Sequence, residues 1–128
     1  RSINEGIFPI VADDPKIDEF FEYTKAEGNL YATYDPIAYQ YADVIVVDIN
    51  LDVIKNSKKD GKLSTFDINM QNFESAIKTI GKNCTENVTI LVETTVPPGT
   101  CERTVKPIID KELDKRGLFY YLFLYGFK

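Results

Sequence analysis

Apolar side chains recur along this chain in two kinds of pattern. Three stretches show helical spacing, with apolar residues three and four positions apart, and they begin near Asp14-Pro15, Asp67 and Thr100. Short continuous apolar runs lie between them at Val44–Val47 and Val88–Val92. Because strands that alternate with helices form parallel sheets, we expect an α/β fold with a Rossmann-like parallel sheet and helices on both faces.

The first half of the chain predicts four elements. A helix begins at the cap-and-proline pair Asp14-Pro15 and ends at Gly28. Its predicted apolar face consists of Ile17, Phe20, Phe21 and Thr24. A short strand at Leu30–Thr33, a short helix from Asp35-Pro36 to Tyr41, and a strand at Val44–Val47 follow. The last of these is β-branched throughout, which is typical of a strand buried on both faces.

The second half predicts a polar loop from Ile49 to Phe66 and a helix capped by Asp67. The apolar residues of that helix are Phe73, Ala76, Ile77 and Ile80. After the strand Val88–Val92, a helix from Thr100 to Arg116 is expected to bury Val105, Ile108, Ile109 and Leu113. Leu118–Leu124 is the predicted final strand.

Composition narrows the possible functions. The chain has 128 residues, which suits one domain, and a net charge of −5, which argues against a nucleic-acid partner. It has no histidine and only two cysteines, Cys84 and Cys101, so we expect no metal site and no cysteine–histidine nucleophile pair. Cys101 at a helix start is expected to be mildly reactive. No apolar run is long enough for a membrane span, and we expect a cytoplasmic location.

The segment Glu93–Thr100 carries the most chemical information. It joins a buried strand to a helix start, where ligands of parallel sheets bind. Pro97 and Pro98 stiffen the turn, Gly99 permits an unusual backbone conformation, and Thr100 is a candidate cap beside free N–H groups that suit an anion. A rigid connection without a ligand is the alternative reading of the same residues.

This segment, Glu-Thr-Thr-Val-Pro-Pro-Gly-Thr, resembles the Ser/Thr-Thr-Val-Pro-x-Gly-Thr motif of the UDP-glucose/GDP-mannose dehydrogenase family. Two further stretches are similar to that family in the same order. Ile3–Ile10 resembles its Leu-Asn-x-Gly-x-x-Pro-Ile stretch, and Leu30–Ile45 resembles its Leu-x-x-Thr-x-Asp … Ala-Asp-Val-Ile segment. Asp67 falls where the family starts its next helix, so the resemblance covers about Ser2–Leu118.

The resemblance implies a fragment of an NAD-dependent oxidoreductase that oxidises the C6 hydroxyl of a UDP- or GDP-sugar to a uronate. Thr95 would contact the catalytic water and the nicotinamide side of NAD. Glu93 and Thr94 would line the same cofactor edge, and Pro9 and Ile10 would approach the sugar nucleotide. The full-length enzyme is expected to be a homodimer, without a nucleic-acid or membrane partner.

Departures from the family pattern restrict these expectations. Where most members carry Val-x-Thr-Pro, this chain has Asp48-Ile49-Asn50-Leu51, which leaves Asn50 as the candidate cofactor contact. The family's first βαβ unit, with its glycine-rich turn, would precede Arg1. Residues 1–118 are therefore interpreted as a partial NAD-binding domain that is inactive alone, and 119–128 as an atypical aromatic tail. The alternatives are a non-catalytic flavodoxin-like or receiver-like module that binds a ligand or partner, and a gene remnant.

Overall fold

The computed structural model describes residues 2–11, 13–51, 53–57, 63–118 and 124–126, and it describes 53–57, 63–67 and 124–126 by their backbone. The chain divides into two compact units, Arg1–Asp35 and Pro36–Lys128. The described helices are α1 Pro15–Ala26, α2 Gln71–Asn83 and α3 Lys106–Asp114. The described strands are β1 Val44–Val47, β2 Val53–Ser57, β3 Leu63–Ile68, β4 Thr89–Val92 and β5 Leu124–Gly126.

The single long helix of the first unit, α1, has both of its ends specified by local chemistry. Asp14 caps its start, where the side-chain Oδ1 accepts a hydrogen bond of 3.0 Å from the Lys16 N–H. At its end Gly28 has a φ of 66°. The N–H of Gly28 bonds to the Lys25 carbonyl and that of Asn29 to the Thr24 carbonyl, which is the Schellman arrangement. The prediction of this helix is confirmed.

Of the four residues of the predicted apolar face of α1, only Phe21 is buried. Phe21 is only 7% exposed and its ring lies 5.2 Å from that of Phe8. Phe20, in contrast, is 63% exposed, and Ile17 and Thr24 are only partly covered. Helical spacing alone identified a face, but a face is buried only where another element covers it.

The predicted strand Leu30–Thr33 is also wrong, since these residues form no strand ladder. A side chain occupies the backbone groups that a neighbouring strand would use. Asn4 Nδ2 donates to the Ala32 carbonyl and Asn4 Oδ1 accepts from the Ala32 N–H, both at 2.7 Å. Asn4 thus bonds Ala32 as an adjacent strand would, but at one residue only.

The second unit contains a parallel sheet in the order β1-β4-β5, which confirms the Rossmann-like fold class. The connection from β1 to β4 and the connection from β4 to β5 each move one strand in the same direction across the sheet. Because such crossovers are right-handed, α2 and α3 lie on the same face of the sheet, where they pack together. The core lies between these helices and the sheet. Its buried members are Ile45, Val47, Phe73, Ile77, Ile80, Cys84, Val88, Ile90, Val92, Val105, Ile109 and Leu113.

Strand β1 is buried on one face and not on both. Ile45 and Val47 belong to the core, whereas Val44 is 54% and Val46 is 53% exposed. The expectation of burial on both faces is therefore wrong for the described part of the chain. A β-branched run specifies an extended backbone, but it does not determine how many layers cover it.

The segment Ile49–Phe66, predicted as a loop, contains most of an antiparallel hairpin. Strand β2 pairs with β3 in a register that joins Val53 to Ile68 and Ser57 to Leu63. Its lysine-rich tip, 58–62, lies outside the described residues. The prediction was wrong because it weighed polarity, whereas a hairpin needs only paired backbone groups and β-forming residues.

The start of α2 also differs from the prediction. Asp67 lies in β3 and caps no helix. The helix begins at Gln71 after the N-cap residue Met70, which has no side-chain cap; the Gln71 N–H donates to Asn69 Oδ1 at 3.0 Å in a turn before the helix. The apolar spacing of α2 is confirmed, with Phe73 and Ile77 fully buried.

The predicted final strand Leu118–Leu124 falls mostly on residues 119–123, which lie outside the described residues. The described strand here is β5, Leu124–Gly126. Leu118 instead completes the end of α3, where its N–H bonds to the Leu113 carbonyl at 3.1 Å. Gly117, with a φ of 70°, makes this Schellman ending possible.

Candidate functional site at the carboxyl edge of the sheet

The candidate site lies where β1 and β4 end side by side. Val47 and Val92 are register partners in parallel strands, so Asp48 and Glu93 follow them at the same edge of the sheet. The Glu93 N–H donates to the Val47 carbonyl at 2.9 Å and extends the ladder by one bond. Ligands of open α/β sheets bind at this carboxyl edge.

The in-and-out alternation of β4 continues past its end. Thr94 is 7% exposed and falls on the same face as the buried Ile90 and Val92. Glu93 and Thr95 fall on the other side of the backbone and are exposed. The three residues predicted to line one cofactor edge are therefore divided between two faces of the chain.

The Thr94 hydroxyl has two partners on the neighbouring strand end. It accepts a hydrogen bond of 2.8 Å from the Ile49 N–H and lies 3.2 Å from the Val47 carbonyl, to which it donates. The Thr94 N–H reaches the same carbonyl at 3.1 Å. Thr95, in contrast, makes no hydrogen bond to any residue that the structure describes, so its hydroxyl is available to a ligand.

On the β1 side, the loop alternates in the same way. Ile49 and Leu51 pack against the core. Asp48, which precedes Ile49, and Asn50, which lies between the two, are exposed. Sequence reasoning selected Asn50 but gave Asp48 no ligand role. Asp48 could have been selected from its position directly after a buried strand. Its position across from Glu93 is known only from the strand register. The exposed polar groups at this edge are thus Asp48, Asn50, Glu93 and Thr95.

The turn that follows is rigid, as predicted. The Thr100 N–H bonds to the Pro97 carbonyl at 3.1 Å, with Pro98 and Gly99 between them. Proline followed by a glycine with a φ of 80° is the pattern of a type II turn. The Arg103 guanidinium lies over Gly99 and donates to the Pro98 carbonyl. The φ of 80° is the reason for glycine at residue 99, since the flexible end of the Arg103 side chain could move away from an added side chain.

Thr100 does not cap the helix, which corrects the prediction. Its Oγ1 donates to the Pro97 carbonyl at 2.7 Å, and its backbone is already helical. The helix then begins with a π turn, Cys101–Val105, closed by a bond from the Lys106 N–H to the Cys101 carbonyl. Pro107 explains this wider turn, because it has no N–H to donate and its ring would crowd the Arg103 carbonyl of an α-helix.

Neither cysteine is an activated nucleophile. Burial raises the pKa of the Cys84 thiol. Burial, followed by the nearby Glu102 carboxylate, raises the pKa of the Cys101 thiol. Desolvation and the like charge of Glu102 both oppose the Cys101 thiolate, so they act against the mild reactivity predicted from its place at a helix start.

The predicted substrate residues Pro9 and Ile10 belong to the first unit. Both are exposed there, Ile10 by 66%, downstream of the 3₁₀ turn Ile3–Glu5 and of Gly6. Asn50, Glu93, Thr94 and Thr95 all belong to the second unit, at the carboxyl edge of its sheet. None of the described helices is long and apolar enough to cross a membrane.

A parallel sheet with crossover helices and a polar carboxyl edge is the architecture of doubly wound α/β domains, a class that includes the dinucleotide-binding domains. Residues 1–124 match the model of the UDP-glucose/GDP-mannose dehydrogenase family, NAD binding domain. This chain belongs to that family, and NAD is the cofactor of the matched domain. The choice between a dehydrogenase fragment and a receiver-like or flavodoxin-like module is thereby decided for the former.

Known proteins agree with this assignment. The chain is 32% identical over 112 residues to a GDP-mannose 6-dehydrogenase of Pseudomonas putida. The matched residues are 84% of this chain and 23% of the relative. A ternary complex of the GDP-mannose dehydrogenase from Pseudomonas aeruginosa matches with a TM-score of 0.71 and 27% identity, over 98% of this chain and 27% of that one.

An NDP-N-acetyl-D-galactosaminuronic acid dehydrogenase from Methanosarcina mazei has the same fold, with a TM-score of 0.74 at 19% identity, over 99% of this chain and 26% of that one. The chain spans about a quarter of the length of the curated relative it matches.

Proposed function

We propose that this chain forms the nicotinamide side of the cofactor site in an NAD-dependent nucleotide-sugar 6-dehydrogenase. The whole protein oxidises the C6 hydroxyl of a UDP- or GDP-sugar to a uronate, a four-electron oxidation that consumes two NAD molecules in succession and one water. The chain alone, residues 1–118 as a partial NAD-binding domain and 119–128 as an atypical tail, is inactive. The observation that carries the proposal is the exposed Thr95, whose hydroxyl bonds to none of the described residues, beside Glu93 at the carboxyl edge of the sheet.

The groups at this edge suit one end of NAD better than the other. Thr95 and Asn50 offer a hydroxyl and an amide, and Glu93 and Asp48 offer carboxylates that accept hydrogen bonds from ribose hydroxyls or a carboxamide. The same two carboxylates would repel a pyrophosphate. The bound cofactor supplies the hydride acceptor. Thr95 orients the nicotinamide and a water, and Glu93 and Asn50 line the same side. Thr94, which faces the core, lies behind them.

The substrate assignment rests on the relatives and on the first unit. The Pseudomonas putida relative carries the name GDP-mannose 6-dehydrogenase, so GDP-mannose is the first sugar nucleotide to test and UDP-glucose the second. Pro9 and Ile10 contribute to the sugar-nucleotide side. We further propose a cytoplasmic, homodimeric full-length enzyme that binds neither nucleic acid nor membranes, in keeping with the net charge of −5.

Titration of the isotope-labelled chain with NADH tests the cofactor assignment. We expect the backbone signals of Asn50 and Glu93–Thr95 to shift, and Thr95→Val to weaken NADH binding about tenfold, the ratio for one lost hydrogen bond. Thr79→Val is the matched control, because it removes a hydroxyl that bonds only to Ser75 within α2. Shifts confined to other residues, or no binding at millimolar NADH, would contradict the proposal.

The proposed inactivity needs a separate measurement. The chain is incubated with NAD and either GDP-mannose or UDP-glucose, and NADH formation is followed by its absorbance. We expect no turnover with either sugar nucleotide, whereas a full-length relative gives a signal under the same conditions. Steady NADH formation by the purified chain would overturn this part of the proposal.

A further inference from the structure

The two polar loops at the carboxyl edge are joined by one buried side chain. Thr94 lies in the Glu93–Thr95 turn, and its hydroxyl bonds to the backbone on both sides of Asp48, at the Val47 carbonyl and the Ile49 N–H. These partners are 45 and 47 residues away along the chain. No other described side chain bonds from the β4 loop to the β1 loop.

The geometry points to Thr94 as a positioning residue, one that holds the exposed groups of both loops at a fixed distance without meeting the cofactor itself. Its side chain is 7% exposed, on the core face of the sheet edge, so a ligand at the exposed edge meets Glu93 and Thr95 instead. Its proton and one lone pair are already bonded within the protein. This inference rests on the proposed function of the same edge.

The Ile49 N–H, more than the Val47 carbonyl, explains why a hydroxyl is required at this position, because the carbonyl has two other donors. That carbonyl accepts from the Glu93 N–H at 2.9 Å, from the Thr94 N–H at 3.1 Å and from the Thr94 hydroxyl at 3.2 Å. The Ile49 N–H lies beyond the end of β1 and donates to the Thr94 hydroxyl at 2.8 Å. Without that hydroxyl the N–H loses its acceptor, and the Asp48–Asn50 loop loses its attachment to β4.

Three variants of the full chain separate the possible roles of Thr94. Thr94→Val keeps the branched shape and removes the hydroxyl, Thr94→Ser keeps the hydroxyl, and Thr79→Val removes a hydroxyl from α2, far along the chain from this edge. Amide hydrogen exchange is measured residue by residue with and without NADH. The same titration gives the NADH dissociation constant of each variant.

We expect Thr94→Val to accelerate exchange at Ile49 about tenfold, the ratio for one hydrogen bond, while amides in the centre of α2 exchange as in the wild type. NADH binding weakens in the same variant. Thr94→Ser restores both readouts, and Thr79→Val changes neither. A Thr94 that contacts NADH directly would weaken binding without changing Ile49 exchange, and that result would overturn the inference.

Two further outcomes would also overturn it. One is unchanged Ile49 exchange in Thr94→Val, and the other is equal acceleration at every amide, which describes a general loss of stability. If Thr94→Val does not fold, the wild-type chain still decides the question, because a bonded, shielded Thr94 hydroxyl proton gives its own slowly exchanging NMR signal. Absence of that signal contradicts the positioning role. Absence of NADH binding to the wild type contradicts the proposed function alone, since exchange at Ile49 is read without ligand.

Discussion

The two units of this chain are stabilised in different ways. In the second unit, strands and helices enclose a continuous buried core that includes Phe73, Ile77 and Ile109. In the described part of the first unit, Phe21 is the buried apolar residue, and order comes from hydrogen bonds such as those between Asn4 and Ala32. One unit depends on burial that many residues share, the other on a few individual bonds.

The difference shows what each kind of stabilisation allows. Burying one large apolar side chain contributes about 1.5–3 kcal/mol, so the single buried Phe21 supports only a modest local stability. A shared core supplies that amount many times over and makes its members unfold together. The candidate residues at the carboxyl edge, Glu93 and Thr95, directly follow β4, a strand of this core. Pro9 and Ile10 instead belong to the first unit, whose order comes from individual hydrogen bonds.

The largest expected effect is a core truncation in the second unit. Phe73→Ala removes a ring that is fully buried between α2 and the sheet, and we expect a loss of about 3–5 kcal/mol in the free energy of unfolding. Denaturant titration of the variant measures it. Phe21→Ala is the counterpart in the first unit, where we expect the protection of α1 amides from exchange to disappear. A loss below about 1 kcal/mol for Phe73→Ala would remove the contrast between the units.

A smaller effect is expected when the first unit loses its side-chain bridge. Asn4→Ala leaves the N–H and the carbonyl of Ala32 without their partner, which costs about 1–2 kcal/mol of local stability. Amide exchange at Ala32 reports it directly. Asn4→Asp is the matched variant, because it keeps the acceptor for the Ala32 N–H and loses the donor to the carbonyl. Unchanged exchange at Ala32 in Asn4→Ala would contradict the bridging role.

The two helix-ending glycines allow a matched comparison of the units. Gly28 and Gly117 have φ values of 66° and 70°, and neither has a neighbouring atom that an added methyl group would meet. Alanine in either place therefore costs about 1 kcal/mol through backbone strain alone. We expect Gly117→Ala to lower the unfolding midpoint of the core and Gly28→Ala to increase exchange at the end of α1. Equal effects of both variants on the core would contradict the contrast.

The smallest expected effect depends on pH. Glu112 is nearly buried, and its hydrogen bond of 2.7 Å to Lys115, aided by Lys78 and Lys82, lowers the pKa of the carboxyl below its ordinary value of 4.5. The stability that this charge provides is present above the unfolded-state pKa and is lost as the pH falls through the folded-state pKa. Thermal melts should therefore show Glu112→Gln less stable than the wild type at pH 7, with a difference that closes in acid. A difference that does not shrink as the pH falls below 4.5 would contradict this account.

The sequence alone predicted the order of most elements and the position of the candidate site. Local signals sufficed where the cause of a structure is local. Asp14 marks the start of α1 and Gly28 marks its end, and the spacing of Phe73 and Ile77 indicates a helix. The Pro97–Gly99 turn likewise follows from its own residues. The family was predictable for the same reason, because its motifs are short and contiguous.

Only the tertiary structure decided which faces are buried and what each polar group bonds. The β-branched run Val44–Val47 predicts a strand, yet one face of that strand is about half exposed to solvent. Burial of a strand face depends on elements that are distant along the chain. Glu93, Thr94 and Thr95 are adjacent polar candidates in sequence. Strand register turns Thr94 toward the core and toward a partner 45 residues away, and leaves Glu93 and Thr95 for a ligand. Such pairings join residues far apart along the chain, and no local pattern contains them.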